Sequence, residues 1–351
     1  MKIKFNKLLC GIGIFLLFDS VLMGCGGNQS SSTDTISQDD EPVSIDSVAA
    51  INSEGNIIKT RYNVPPRFHR VDGEAGSFAE YLQNLPLRPL DYPVHLYNGQ
   101  EKGEKIVEIY DGRKVKMKVN TAVIDLELDT VDNQDAVGSI IRLRGEYLYQ
   151  SGQYDRLRFH LSKRFVADFV KWAKGYRLVK KGNEISWKKD GKEDDYSYEN
   201  FRAYLSAVMK AADMKTLKLD MEKVSEEGFG IGTVILSDDS PQHAAIVVDM
   251  IRMTGAKGWR TLPAVLLAQG GSPSQEIEII RGNADEFNWF GSPKHSKFHR
   301  FWNTTNYGER YINKQGGLFM TGDKDYNNKQ LYQFNDDTFT AKNKYQDVPI
   351  E

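Results

Sequence analysis

The chain has almost no cysteine. Of 351 residues only Cys10 and Cys25 are Cys, and both lie close to the N-terminus. Everything after Cys25 is therefore without disulfides, a thiolate zinc site or a thiol nucleophile, which excludes a cysteine hydrolase. Net charge is also small. The 46 Lys and Arg nearly balance the 48 Asp and Glu, giving -2, so no basic field marks a nucleic-acid partner. No apolar run is long enough for a comfortable membrane span; the run near the N-terminus, Leu8 to Phe18, stops well short of the ~20 residues needed. Metal-ligand spacing is missing too: Lys294-His295 and His299-Arg300 have no acidic or cysteine partners. Gly228-Phe229-Gly230-Ile231-Gly232 is glycine-rich, but a strand follows it and not a helix, so a phosphate cradle would lack its dipole. The sequence thus points to no cofactor, and it contains no internal repeat.

What is present is ordinary for a soluble globular protein, 40% hydrophobic and 27% charged. The N-terminus is the exception. Lys2, Lys4 and Lys7 precede the apolar run, which is the pattern of a removable targeting segment over residues 1–24. Leu22-Met23-Gly24-Cys25 resembles a bacterial lipobox. That resemblance implies cleavage before Cys25 and acylation, with palmitate among the chains, of its sulfur and new amine. Several acyl chains anchor stably where one is marginal. The other reading is an ordinary signal peptide with a chance Cys. Residues 25–59 read as a flexible tether, rich in Gly, Asn, Ser and Asp over their first half. The expectation is an outer-membrane lipoprotein of a Gram-negative bacterium, facing the periplasm.

Residues 60–351 read as one α+β domain, with an aromatic and polar extension from about 282. Ser77 and Glu80 form a capping-box pattern opening a helix over 78–84. Pro93 to Tyr97 reads as a strand into an Asn98-Gly99 turn, and Val119 to Leu128 as another strand. The longest amphipathic helix spans 134–150, with Asp132 or Asn133 as its cap. Arg158 to Leu161 is strand-like. Further helices are expected over 166–174, ended by Gly175, and over 198–212, with a charged loop at 188–195. The stretch from Phe229 to Gly271 is built of short β-branched runs bounded by Gly, Pro, Ser and Asp, which makes three consecutive strands. Gln275 to Ile280 adds a fourth, and Leu318–Met320 and Leu331–Phe334 are candidate closing strands. Trp289, Phe290, Phe301 and Trp302 suit core packing or stacking on sugar rings.

His243 enters the second of the three strands and Gln269 ends the third. A His that acts as base, oriented by an amide, needs those two types on adjacent strands; the alternative is a half-buried strand His bonded to backbone. Arg142 and Glu146 are four apart on the 134–150 helix. They read either as a charged wall that binds an anion or a sugar, with Glu146 as an acid, or as a surface ion pair, the plainer assignment. Asp125 and Glu127 are the nearest candidates for a second acid. Ser139 is the hydroxyl on that helix, and its expected partner is the preceding turn.

Helices followed by an antiparallel run of strands resemble a papain-like domain. The Gly-Thr-Val-Ile strand and His243-Ala-Ala-Ile-Val-Val248 are similar to those of NlpC-type peptidases. Ser77-Phe78, Leu85-Pro-Leu87, Val94 to Gly99, Arg142 to Tyr147, Ser240 to Asp249 and Ala268-Gln269 together resemble a bacterial lipoprotein family defined as a domain of unknown function (4846). That family implies no activity. The sequence reading is therefore a distorted papain-like α+β domain acting as a binding module, with His243 and Gln269 in the site and Arg142, Glu146 and Asp249 as binding candidates. Its partners would be the membrane, through Cys25, and peptidoglycan or another envelope component. An envelope hydrolase acting on peptidoglycan peptide or glycan is the alternative.

Overall fold

A computed structural model describes residues 51–65, 68–103, 105–108, 114–117, 120–182, 184–224, 228–237, 243–253, 263–280, 290–291 and 329–335. Residues 1–50 with Cys25, the proposed strand at 318–320, and Trp289, His295, His299, Phe301 and Trp302 lie outside them.

The helices are α1 (Ile58–Arg61), α2 (Phe78–Gln83), α3 (Ala136–Gln150), α4 (Phe169–Ala173), α5 (Tyr198–Ala211) and α6 (Met214–Leu217). The strands are β1 (Phe68–Arg70), β2 (Lys105–Glu108), β3 (Lys114–Met117), β4 (Asn120–Val123), β5 (Arg158–Ser162), β6 (Phe165–Asp168), β7 (Tyr176–Lys181), β8 (Glu184–Lys189), β9 (Met221–Lys223), β10 (Val234–Ser237), β11 (His243–Met253), β12 (Ala264–Gln269), β13 (Glu278–Ile280), β14 (Phe290–Gly291) and β15 (Lys329–Phe334). Nine strands form one antiparallel sheet, ordered β4-β13-β12-β11-β10-β15-β9, with β1 beside β11 and β14 beside β12. Three separate hairpins, β2–β3, β5–β6 and β7–β8, complete a mixed α+β fold. Because β1 and β4 join the sheet from the N-terminal half, the chain does not simply run helices first and strands after.

The sheet is central because its strands are apolar on both faces. Ala244, Ile246, Val248, Leu266 and Ala268 belong to the main core with α3 and α5, while Ala245, Val247, Val265 and Leu267 form a smaller cluster with Ile235 and Phe229. A bulge interrupts the alternation: Val247 faces Leu267 and Asp249 faces Leu266, which leaves Val248 as the extra residue. The shift turns Asp249 toward α2.

Helix α3 is buried from Ala136 to Leu148 on every side. Only three of its fifteen residues are charged, so it has no polar face to turn to water. Gly145 permits the contact with α5: a Cβ there would come within 2.8 Å of Leu205. The cap is Asp135, which accepts from the Gly138 N–H at 2.8 Å. The expected caps are used elsewhere. Asp132 accepts from the Ser274 N–H, and Asn133 donates to Ser206.

Other expectations are corrected. The folded part begins before residue 60, because Ile58 is fully buried and Ile51 bridges to Tyr62. Ser77 caps α2 as expected, but Glu80 reaches the Gly76 N–H and not that of Ser77. Over 93–97 only His95 and Leu96 form isolated bridges, and there is no strand. The strand expected over 119–128 is shorter, Asn120–Val123. The helix expected over 166–174 divides: residues through Asp168 pair with β5, and Asp168 then caps the five-residue α4 through the Lys171 N–H. Part of the charged loop at 188–195 is strand β8, held by β7.

Candidate functional site

The strand geometry puts His243 and Gln269 together. Ile246 faces Ala268 across β11 and β12, so one step further places Gln269 diagonal to His243 on the same face. Gln269 in turn faces Glu278 directly across β12 and β13. Glu278 alternates with Ile277 and Ile279, which point into the main core, so its carboxyl lies on the opposite face with the other two side chains.

The three side chains, with Lys102 from the turn beyond Gly99, form one hydrogen-bonded run. The Lys102 ammonium donates to Glu278 Oε1 at 2.6 Å. Gln269 Nε2 donates to the same oxygen at 2.9 Å. That bond fixes which end of the amide faces His243, so Gln269 Oε1 is the atom 2.7 Å from His243 Nε2. A carbonyl oxygen only accepts, so Nε2 carries the proton and donates. In the neutral ring, Nδ1 is left as an acceptor. Burial lowers the His243 pKa below its ordinary value; the Gln269 bond and the charge of Glu278 work in the opposite sense. The ring is therefore neutral at pH 7 and held in one tautomer. His243 and Gln269 are half-buried, whereas the Glu278 side chain is fully buried. Its second oxygen, Oε2, has no hydrogen-bond partner among the described residues.

The start of α3 does not deliver a nucleophile to this ring. Ser139 is fully buried, and its hydroxyl donates to the Asp135 carbonyl at 2.7 Å. It packs against Gly270, where a Cβ would sit 1.8 Å from Ser139 Oγ. Ala268 belongs to the core that contains α3, and Gln269 points the other way. Asp135 is the residue of this turn whose charge reaches the imidazole, and it favours protonation.

The remaining candidates are closed. Arg142 and Glu146 do form the i,i+4 pair, Nε to Oε1 at 2.8 Å, but both side chains are fully buried. This is not a surface ion pair, because α3 has no exposed face. Tyr198 donates to Glu146 Oε1 at 2.9 Å, and Gln150 to its other oxygen at 3.4 Å. Burial, then the charge of Glu146, raises the Tyr198 pKa. Asp249 is fully buried as well. It accepts from Arg70, from Gln83 and from the Met250 N–H, tying β1 and α2 to the bulged β11. Burial raises its pKa despite Arg70. Asp125 pairs with Arg88 at 2.9 Å, and Glu127 supplies a backbone carbonyl to Arg142.

Glu278 and Lys102 were not singled out in the sequence. The alternation Glu276-Ile277-Glu278-Ile279 was a usable signal, since it puts two carboxylates on one face of a short apolar strand. Lys102 had none, being joined to Glu278 only by the fold. Among the described residues no three His, Cys, Asp or Glu are grouped to hold a metal. No curated protein and no solved structure matches the chain. The family described as domain of unknown function (4846) matches residues 58–307, well over half the chain and all of this site, and the chain belongs to that family.

Proposed function

We propose that the chain is a lipid-anchored cell-envelope protein, on the periplasmic side of an outer membrane, whose domain is a binding module. The reading keeps one part of the papain-like expectation, the oriented imidazole, and drops the helix-borne nucleophile. Its carrying observation is the fixed His243–Gln269–Glu278 run beside an α3 whose hydroxyl is buried and engaged. Nucleophilic catalysis needs a reactive atom within hydrogen-bond reach of the base. No Cys follows Cys25, and the Ser139 hydroxyl is committed to its own helix. A neutral, half-buried His with Nδ1 as acceptor still suits recognition. The ligand in this reading is an envelope component, and a peptidoglycan fragment is the one tested first.

Two experiments test it. The purified full chain should bind soluble muropeptides without cleaving them, and His243→Ala should weaken binding at least tenfold. Reproducible cleavage that is lost in His243→Ala would replace the module by an envelope hydrolase. For the anchor, labelled palmitate should enter the protein in cells and fail to enter Cys25→Ser. Absence of label in the unaltered protein ends the lipoprotein reading.

A further inference from the structure

Four tyrosines form one surface where the end of α3 meets the start of α5. Tyr149 lies in the last turn of α3, Tyr154 in the short turn after it, and Tyr196 and Tyr198 at the entry to α5. Their rings touch in series: Tyr198 to Tyr149 at 5.6 Å, Tyr149 to Tyr154 at 5.4 Å and Tyr154 to Tyr196 at 5.4 Å between centroids. Successive rings are tilted by 55°, 43° and 31°, so the surface curves. Two fully buried phenylalanines support it from the core side. Phe169 lies within 6.0 Å of Tyr149, Tyr154 and Tyr196, and Phe201 within 5.7 Å of Tyr149 and Tyr198. The tyrosines themselves reach water: Tyr198 is 43% exposed and the other three are partly exposed. Their hydroxyls divide into two kinds. Tyr149 donates to the Tyr196 carbonyl and Tyr198 to Glu146, which locks those rings. Among the described residues the Tyr154 and Tyr196 hydroxyls make no hydrogen bond, and neither is buried.

We infer that this tyrosine surface binds an uncharged chain of pyranose sugars, whose C–H faces pack on the rings and whose hydroxyls bond the open phenols. The site is separate from His243 and shares no residue with it. Rigid rings with an apolar body and a wet polar tip bind at low entropic cost, and a phenol both donates and accepts. A pyranose has the matching character, apolar on its faces and polar around its edge. Other partners fit less well. A phosphate or an anionic lipid surface needs cations. None of the residues flanking the four tyrosines in the chain is Lys or Arg, and Asp155 and Glu199 are exposed. Arg202, 6.0 Å from the Tyr198 ring, is engaged with Asp129. A stable protein interface takes about 800 Å² per partner around an apolar centre. Apart from Tyr198, the exposed large apolar side chains among the described residues are Leu90 and Val131, too few to build one.

The probe is the β-linked tetramer of N-acetylglucosamine, titrated into the purified full chain by calorimetry. Saturable binding is expected. Tyr154→Ala and Tyr198→Ala should each weaken it about fivefold or more, whereas Tyr198→Phe, which keeps the ring, should stay within about twofold of the unaltered protein. No saturable binding of the tetramer, or binding unchanged in both alanine variants, overturns the sugar surface. Free stem peptides and phosphatidylglycerol vesicles are titrated in parallel. Binding of either that is lost in Tyr154→Ala, with no such loss for the tetramer, makes the surface a protein or lipid contact and overturns the sugar reading as well. If the alanine variants do not fold, proton resonances of the unaltered protein decide: the tetramer must shift the Tyr154 and Tyr196 ring signals, and unmoved signals end the proposal. Muropeptide binding that persists where the tetramer fails leaves the His243 module standing, so the two readings can fail separately.

Discussion

Two polar clusters sit on this framework, and they differ in what surrounds them. The Arg142–Glu146–Tyr198 cluster lies between helices, with both charged side chains out of water and a donor on each Glu146 oxygen. The Lys102–Glu278–Gln269–His243 run lies across strand ends, sealed at Glu278 and half-open at His243. The first is enclosed at both charges, and the second is enclosed at Glu278 with His243 at its partly exposed end. A buried ion pair is weak evidence of function, since it is costly to form and costlier to break. The open end of a polar run is where a ligand can exchange with water.

The comparison predicts opposite consequences for the two clusters. Glu146→Ala leaves the Arg142 guanidinium buried without its carboxylate, and unfolding in urea should register a loss of about 3–5 kcal/mol. A loss within the range of surface substitutions would mean that the cluster is wet, and the contrast would collapse. Gly270→Ala comes next. Its Cβ would sit 2.9 Å from the Asp135 carbonyl as well as against Ser139. Strand β12 and the start of α3 must then move apart, at a cost of about 1–3 kcal/mol. Circular dichroism melts should place this variant between the other two.

The smallest expected effect is at His243. His243→Ala should change stability by less than about 1 kcal/mol near neutral pH, because the ring is half-open. Its pH dependence carries a definite sign. Burial holds the folded pKa below 6.5, so the unfolded chain takes up this proton first. The His243 contribution is therefore fully present above pH 6.5, falls as pH drops toward the folded pKa, and is constant below it. Subtracting the stability profile of His243→Ala from that of the unaltered protein should yield that slope. The opposite slope would place a raised, ion-paired His in the site.

Where strands meet was readable because β-branched runs broken by turn residues have few alternatives, and strands at 234–237, 243–253 and 264–269 lie within them or extend them by a few residues. Helices α3 and α5 were readable from periodicity. Hairpin β7–β8 was not, because four of its six exposed strand positions are Lys and none of its strand residues is fully buried. The seal around Arg142 was hidden for another reason: an i,i+4 charge pair has the same spacing on an exposed helix as on a buried one. The scarcity of charge over 136–150 was the clue that could have separated them. The pairing of His243 with Gln269 followed from strand adjacency. Its continuation to Lys102 joins residues far apart in the chain, which no local pattern encodes.

Strand β15 has a consequence for the order of assembly. It lies between β10 and β9, with Val234 opposite Tyr332 on one side and Met221 opposite Phe334 on the other. It also falls beyond residue 307, where the family match stops. Phe334 then docks on the helical layer, 5.1 Å from the Arg144 guanidinium. A growing or translocating chain makes β10 through β13 long before it makes 329–334. Until then β10 presents an unpaired edge, and exposed edges template pairing with other chains. Such non-local closure is slow. A chaperone that shields the nascent protein would be needed longest at this one seam, and a chain cut between 307 and 329 should aggregate through β10 even with the His243 site fully encoded.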